Sequence, residues 1–453
     1  MDRYPLYKRE IETWQLLVHV CRRWRFVVFA SPRRLNLQLG CTPGTPVRDR
    51  LDIWPALPLI VEADGTIYSK PVDNIVIALG HSDRVCRIDF RGVTRGLQWD
   101  KVLAAMQVPF PALTDLLLHF DDDETAPIIP DTFLGGSAPR LRYLQMDYAP
   151  FPGITNLALS ATHLVSLNLS DIPRLGYISA EAMATCLSVL TNLDNLTLSF
   201  YDELLYLRPH RRPPPMTRSI LPHLKRVWFK GANQYLDDLV ARVDAPQLYD
   251  LSMAFPLEQM DFDTPHLVQF ISRTPTFQEP NEAYVILDGL DSNVKLHSAS
   301  ATFCVEISYE DFEAKPQPSL IAQVCNMCFP PLPTVENLRV EVFIEDISEF
   351  DYNDPIEDDE WLELLLPFTA VKNLYLSKKS APHIAAALQK LIGSRITEVL
   401  PGLQNILVEG LEPSGTLQEY IGQFITARQL SGHPIAVSDW HRWDPVHMEL
   451  VLD

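Results

Sequence analysis

The sequence predicts an α/β solenoid, one curved parallel sheet with helices and loops on its convex side, and three observations predict it. A phrase of the form Pro/Thr-x-Leu-x-x-Leu-x-Leu recurs, its apolar residues alternate as a half-buried strand requires, and the chain between copies is long enough for a partly helical return path. Clear copies begin at Pro111, Pro139, Thr162, Thr191, Pro222 and Pro246. Looser copies carry Val85/Ile88/Phe90, Val335/Leu338/Val340, Val371/Leu374/Leu376 and Leu403/Ile406/Val408. One such unit cannot bury its own apolar face and must stack on neighbours, the signature of a leucine-rich repeat.

The second apolar residue of each copy sets the register at 88, 116, 144, 167, 196, 227 and 251, in steps of 23 to 31 residues. Leucine-rich repeats run roughly 20–29 residues, so some turns carry insertions. Between 251 and 338, further strands are expected near 267–271, 284–287 and 303–307. Within each copy the first, fourth and sixth positions from the first leucine face inward. The leading proline or threonine starts the strand where a missing donor is harmless. On the return path, Ser179 is expected to cap a helix that turns Met183, Leu187 and Leu190 inward. Helices are also expected over 361–368, 382–392 and 417–430, the last closed by Ser431-Gly432-His433-Pro434. The asparagine that follows the third leucine in regular repeats is replaced by Phe120, Asp147, Ser170 or Phe200, which predicts irregular turns.

Composition narrows the function. The chain has 453 residues, 47% of them hydrophobic, with 38 basic and 58 acidic residues and a formal charge of −20. A core is affordable, disorder is excluded, and nucleic acid is a poor partner for so acidic a surface. No stretch approaches the ~18 uninterrupted apolar residues of a membrane span, and residues 1–10 lack a secretory apolar region. Seven unpatterned cysteines read as reduced thiols, and the expected location is the cytoplasm or nucleus. Cys325 and Cys328 have the spacing of a zinc knuckle but no second pair nearby, so they are expected to be core thiols. The acid-rich stretches 121–124 and 345–363 read as solvated loops, the second running into the start of a helix at Trp361. A surface for a basic partner is the alternative there. The basic, proline-rich stretch 208–215 reads as an extended insertion on the rim. No phosphate loop, zinc-protease, nucleophile-elbow or kinase motif is present, so no catalytic residue, metal or cofactor is assigned and the chain is not expected to be an enzyme.

Residues 11–39 are not a repeat, and 35–39 are expected to open the first strand of the sheet. Trp14, Leu17, Val18, Cys21, Trp24, Val27 and Val28 recur at helical spacing, with Arg22, Arg23 and Arg25 beside or between them. The pattern Trp14-x-x-Leu17-x-x-Val20-Cys21-Arg22-Arg23-Trp24-Arg25, followed by Ser31-Pro32-Arg33-Arg34-Leu35, resembles the second half of an F-box. The chain as a whole resembles fungal F-box proteins with irregular leucine-rich repeats, as do its segments 51–58 and 427–434. The family's first F-box helix begins Leu-Pro-x-Glu, which residues 1–10 lack, so the F-box is expected to be incomplete.

That resemblance implies two parts, a partial F-box-like helical segment over 1–31 and an irregular leucine-rich-repeat domain over 32–453. It implies a substrate-recognition subunit of a Skp1-cullin-F-box ubiquitin ligase. Trp14, Leu17, Val18, Val20, Trp24, Val27 and Val28 would bury an apolar face on a Skp1-like adaptor, with Arg22, Arg23 and Arg25 meeting its acidic surface. The same stripe equally suits packing on the first turn of the solenoid. A protein substrate would lie on the outward strand positions, including Tyr143, Gln145, Asp147, Asn168, Asn195, Arg226, Trp228, Lys230 and Asp250, with Trp228 as the anchor. The alternative is a repeat scaffold with no link to ubiquitin.

Overall fold

The structure, a computed structural model, describes residues 20–29, 37–42, 44–64, 72–92, 98–120, 127–201, 217–257, 263–288, 291–308, 317–328, 332–343, 357–391, 393–411 and 416–440. The proline-rich stretch 208–215, residues 121–124 and the greater part of the acid-rich stretch, 345–356, lie outside these residues. The chain divides into two compact units, Met1–Ile178 and Ser179–Asp453.

The first unit runs α1 (Arg22–Phe29), β1 (Leu37–Gly40), α2 (Val47–Ile53), β2 (Leu59–Asp64), α3 (Val72–Leu79), β3 (Val85–Gly92), α4 (Trp99–Ala105), β4 (Asp115–His119), β5 (Tyr143–Asp147), α5 (Ile154–Ser160) and β6 (Ser166–Ile172). Its six strands pair in parallel and in chain order. The expected register holds from Ile88 through Leu116 and Leu144 to Leu167, and Val61 and Leu39, in a register not foreseen, extend it.

The second unit begins with α6 (Ala180–Leu187), β7 (Asn195–Phe200), β8 (Ser219–Ile220), β9 (Arg226–Lys230), α7 (Asn233–Val240), β10 (Val243–Asp244), β11 (Asp250–Pro256) and α8 (Pro265–Arg273). Next come β12 (Glu282–Asp288), β13 (Asp291–His297), β14 (Thr302–Ser308), α9 (Pro318–Cys328), β15 (Asn337–Phe343), α10 (Asp358–Leu365), β16 (Asn373–Leu376), α11 (Ala381–Gln389), β17 (Asn405–Glu409), α12 (Thr416–Leu430) and β18 (Ala436–Trp440). The two-residue strands β8 and β10 form their own parallel pair. The main sheet runs β7-β9-β11-β14-β13-β12-β15-β16-β17-β18. Leu196, Val227 and Leu251 are in register, as are Leu338, Leu374 and Ile406.

The inner face is built by the repeated leucines. Leu113, Leu116 and Leu118, then Leu141, Leu144 and Met146, then Leu248, Leu251 and Met253, are each at most 1% exposed. Each such side chain contributes about 1.5–3 kcal/mol by burial, so the register is strongly specified. Consecutive helices pack on one another along the return path: α2 on α3 and α3 on α4, then α6 on α7, α7 on α8, and α9 through α12. Ser179 caps α6 as its sequence requires, accepting a hydrogen bond from the Ala182 amide at 3.2 Å. Met183, Leu187 and Leu190 are buried behind it. At the end of α12, Gly432 adopts φ +84°, a left-handed turn residue that lets the His433 amide reach the Arg428 carbonyl at 2.9 Å. Cys325 is fully buried on α9, as a core thiol.

Two expectations are corrected. The segment 267–271 is the core of α8, not a strand, because Pro265 sits at its first turn and Leu267, Phe270 and Ile271 are buried at helical spacing. Asp237 accepts the orphan Leu267 amide at 2.8 Å. The sheet is also not wholly parallel. Strands β12, β13 and β14 form an antiparallel meander inserted in reverse spatial order, so that β14 joins β11 and β12 joins β15 in parallel. Only two residues, 289–290, separate β12 from β13, and so short a link forces an antiparallel return.

Arginines do the work of the missing asparagine ladder. Arg84 donates to the carbonyls of Pro55 and Leu57 at 2.7 and 3.1 Å. Arg273 donates to Val240 and Val243 at 2.8 and 2.9 Å and pairs with Asp244. Arg428, fully buried, donates to Ile396, Leu400, Pro401 and Leu403 at 3.1–3.5 Å. Each reaches back 25 to 33 residues, one repeat, and satisfies turn carbonyls that would otherwise be stranded.

Candidate functional site

The outward residues of the second-unit sheet form three rows across the strands. The middle row runs Thr197, Trp228, Ser252, Cys304, Lys295, Tyr284, Arg339, Tyr375, Leu407 and Ser438. One flanking row includes Arg226, Asp250, His297, Glu282 and Asn337, and the other includes Lys230, Glu306, Asn293 and Glu341. Strand alternation fixes these faces, since every inward leucine forces its neighbours outward.

At one end of this face, Trp228 is 39% exposed. Its in-register neighbours Thr197 and Ser252 are short, so the indole stands proud of the sheet. Arg226 and Lys230 flank it on its own strand, and the Arg226 Nε donates to Asn195 Oδ1 at 2.6 Å. Burial raises the Asp250 carboxyl above its ordinary pKa, partly offset by Arg226. The expected residues Asn195, Arg226, Trp228, Lys230 and Asp250 are therefore brought together on β7, β9 and β11.

Farther along, burial and the neighbouring carboxylates raise the Glu306 and Asp291 carboxyls, against Lys230 and, for Glu306, Lys295. Burial lowers His297, opposed by Glu282. The Tyr284 hydroxyl is pushed up to about 12 by burial and then by Glu282, to which it donates at 3.1 Å.

At the far end, Arg339 is 8% exposed, and its guanidinium carbon lies 4.7 Å from the Trp440 ring, 5.0 Å from Tyr284 and 5.3 Å from Tyr375. Trp440 leans across the sheet from β18, its indole donating to the Leu376 carbonyl at 3.2 Å. Beside this cage runs a ladder of amides: Asn405 donates to Asn373 at 2.7 Å and Asn373 to Asn337 at 2.8 Å.

The first unit places Tyr143, Gln145, Asp147 and Asn168 together on β5 and β6, also as expected. There Asp147 accepts from Gln145 at 3.0 Å and lies 3.3 Å from His119 Nδ1, while Ser170 donates to Asn168 at 2.6 Å. Tyr143 is 42% exposed, with the Arg142 guanidinium 5.8 Å from its ring. The adaptor set is seen in part. Trp14, Leu17 and Val18 lie outside the described residues, as does the Val28 side chain. On and just before α1, Val20, Trp24, Phe26 and Val27 are 48–75% exposed, and Arg22 and Arg23 are exposed beside them.

The cage and the ladder were missed in the sequence, although a signal was there. Arg339 and Tyr375 occupy the same middle position of their phrases that Trp228 occupies in its own. Nothing in the sequence announces Trp440, whose strand carries no leucine phrase. Among the described residues no group of His, Cys, Asp and Glu is arranged to hold a metal ion. One small pocket, lined by Ile271, Phe277, Leu296 and Phe303 among others, carries no histidine or carboxylate.

No family model matches the chain, and no curated protein matches it. Among solved structures, the leucine-rich repeat-containing protein LegL7 from Legionella pneumophila matches over 88% of this chain and 98% of its own, at 12% identity and a TM-score of 0.27. The fold class rests instead on the strand register and the helical return path described above.

Proposed function

We propose that this chain is a non-catalytic recognition scaffold that holds a protein partner on the outward face of its second-unit sheet. The observation that carries the reading is Trp228, an exposed indole on a rigid strand, flanked by Arg226 and Lys230 and bordered by short side chains. Aromatic and arginine anchors of this kind dominate interface energetics. The net charge of −20 disfavours nucleic acid as the partner, and among the described residues no helix is long and apolar enough to cross a membrane. The finer form of the reading makes the chain the substrate-recognition subunit of a Skp1-cullin-F-box type ubiquitin ligase, working in the cytoplasm or nucleus. Its support is the exposed apolar residues Val20, Trp24, Phe26 and Val27 with Arg22 and Arg23, a composition suited to an adaptor groove.

Affinity capture with the full chain and with an Arg226→Ala/Trp228→Ala variant tests the first form. Partners held by the wild type are expected to be lost from the variant, and identical captured sets would overturn the reading. Purified Skp1-like adaptor is expected to bind the full chain and to be lost on Trp24→Asp. If adaptor does not associate with the wild type, the ligase form is removed and the scaffold form stands.

A further inference from the structure

The second-unit face carries another anchor, about 24 Å from Trp228 by five inter-strand steps. Arg339 has a chemistry unlike that of the other deeply seated arginines. Arg84, Arg273 and Arg428 each donate to two or more carbonyl oxygens, although Arg273 Nη1 and Arg428 Nε are left without an acceptor, and Arg242 donates to the Asp238 carbonyl at 2.6 Å. Arg339 is just as deeply seated, at 8% exposed, yet among the described residues it makes no hydrogen bond and no ion pair. Its Nε is sealed from solvent with no acceptor. Tyr284, Tyr375 and Trp440 stabilise the positive charge through their ring faces, but rings supply no oxygen acceptor to the planar fork of N–H groups. A guanidinium fixed by three rings, with its donors unfilled, is preorganised for an acceptor that arrives from outside.

We propose that Arg339 is the docking point for one glutamate or aspartate side chain of the bound protein, held bidentately by the guanidinium fork. The proposal rests on the reading of the chain as a recognition scaffold and names the chemistry of its partner. A single carboxylate fits best because it matches one positive charge with two coplanar oxygens. Glu282 on β12 and Glu341 two residues along β15 flank this end of the sheet, and they repel a doubly charged phosphate about twice as strongly as a singly charged carboxylate. Two residues back on β15, the Asn337 amide nitrogen makes no hydrogen bond among the described residues and offers a further donor on the same strand.

The test uses the full chain labelled with 15N-arginine, in which the Arg339 Nε–H resonance is assigned by its loss from Arg339→Lys. Titration with N-acetyl-glutamate N-methylamide at constant ionic strength is expected to move that resonance saturably, with half-saturation on the order of 10 mM for one isolated contact. The glutamine counterpart is expected to leave it unmoved. The proposal is overturned if the resonance does not move, if the glutamine compound moves it equally, or if N-acetyl-O-phosphoserine N-methylamide binds more tightly than the glutamate compound. In Trp440→Leu, which opens the cage and keeps the arginine, the response is expected to weaken at least threefold. An unchanged response there would equally overturn the role of the cage. Since no protein partner enters this measurement, its failure is separate from failure of the Trp228 capture experiment.

Discussion

In the first unit, Asp147 gathers Gln145 and His119 to itself and Asn168 receives Ser170, so the polar groups of that sheet face are largely answered by one another. In the second unit, Trp228 is left exposed and the Arg339 fork is left without an acceptor, although the inner leucines are packed in the same way in both. A partner on the first face must replace hydrogen bonds that already exist, which returns little net free energy. Exposed ring surface is present on both faces, at Tyr143 and at Trp228, so the difference lies in the open donors of Arg339 on the second. The inner face therefore sets the fold in both units, and the units differ in which polar groups their outer faces leave unanswered.

The largest effect is expected from Trp440→Ala, which removes a ring over Arg339 and the hydrogen bond to Leu376. A loss of about 2–3 kcal/mol in urea unfolding is expected, against less than about 1 kcal/mol for Tyr143→Ala in the first unit, whose exposed ring meets only a loosely placed arginine. Equal losses would erase the contrast. Next, Trp228→Ala is expected to weaken partner binding by about 2 kcal/mol, roughly 30-fold, with little change in melting temperature. Gln145→Ala should cost less than about 0.5 kcal/mol, both variants being read by calorimetric titration of a captured partner. A stronger effect at Gln145 would move the recognition surface to the first unit. Asp147→Ala is expected to lower stability by about 1 kcal/mol, since it strands partners that are only partly buried.

The smallest effect is pH-linked. Burial holds the Glu306 carboxyl above its ordinary pKa, so the folded chain keeps a proton that the unfolded chain has released. Its stabilising contribution is complete below the ordinary carboxyl pKa and fades as pH rises through the raised value. Glu306→Gln is thus expected to be more stable than the wild type at neutral pH. Urea midpoints measured downward from there should converge toward pH ~4.

Much of this fold was legible in the sequence because its signal is local and periodic. The leucine spacing gave the register from Ile88 to Leu167 and from Leu196 to Leu251, and the Ser179 and Gly432 caps placed two helix ends. What escaped depended on contacts between distant residues. The segment 267–271 is apolar enough for either element, and the Asp237 carboxylate that receives its Leu267 amide stands 30 residues away. The reversal at β13 follows from a two-residue link that looks like any other loop. At the candidate site, alternation identified Arg226, Trp228 and Lys230 as outward residues. The Arg339 cage needed Trp440, which stands 101 residues away in sequence and reaches it only through folding.

The meander also determines how such a chain can grow or shrink. Because β14 runs alongside β11 and β12 alongside β15 with the same polarity, excising 282–308 leaves two strand edges able to meet directly. Removing β13 alone would instead demand a parallel crossover between β12 and β14 from a linker far too short to provide one. The three strands form an indivisible unit of the topology, and losing it whole would bring Trp228 and Arg339 closer while removing Tyr284, one of the three rings of the cage.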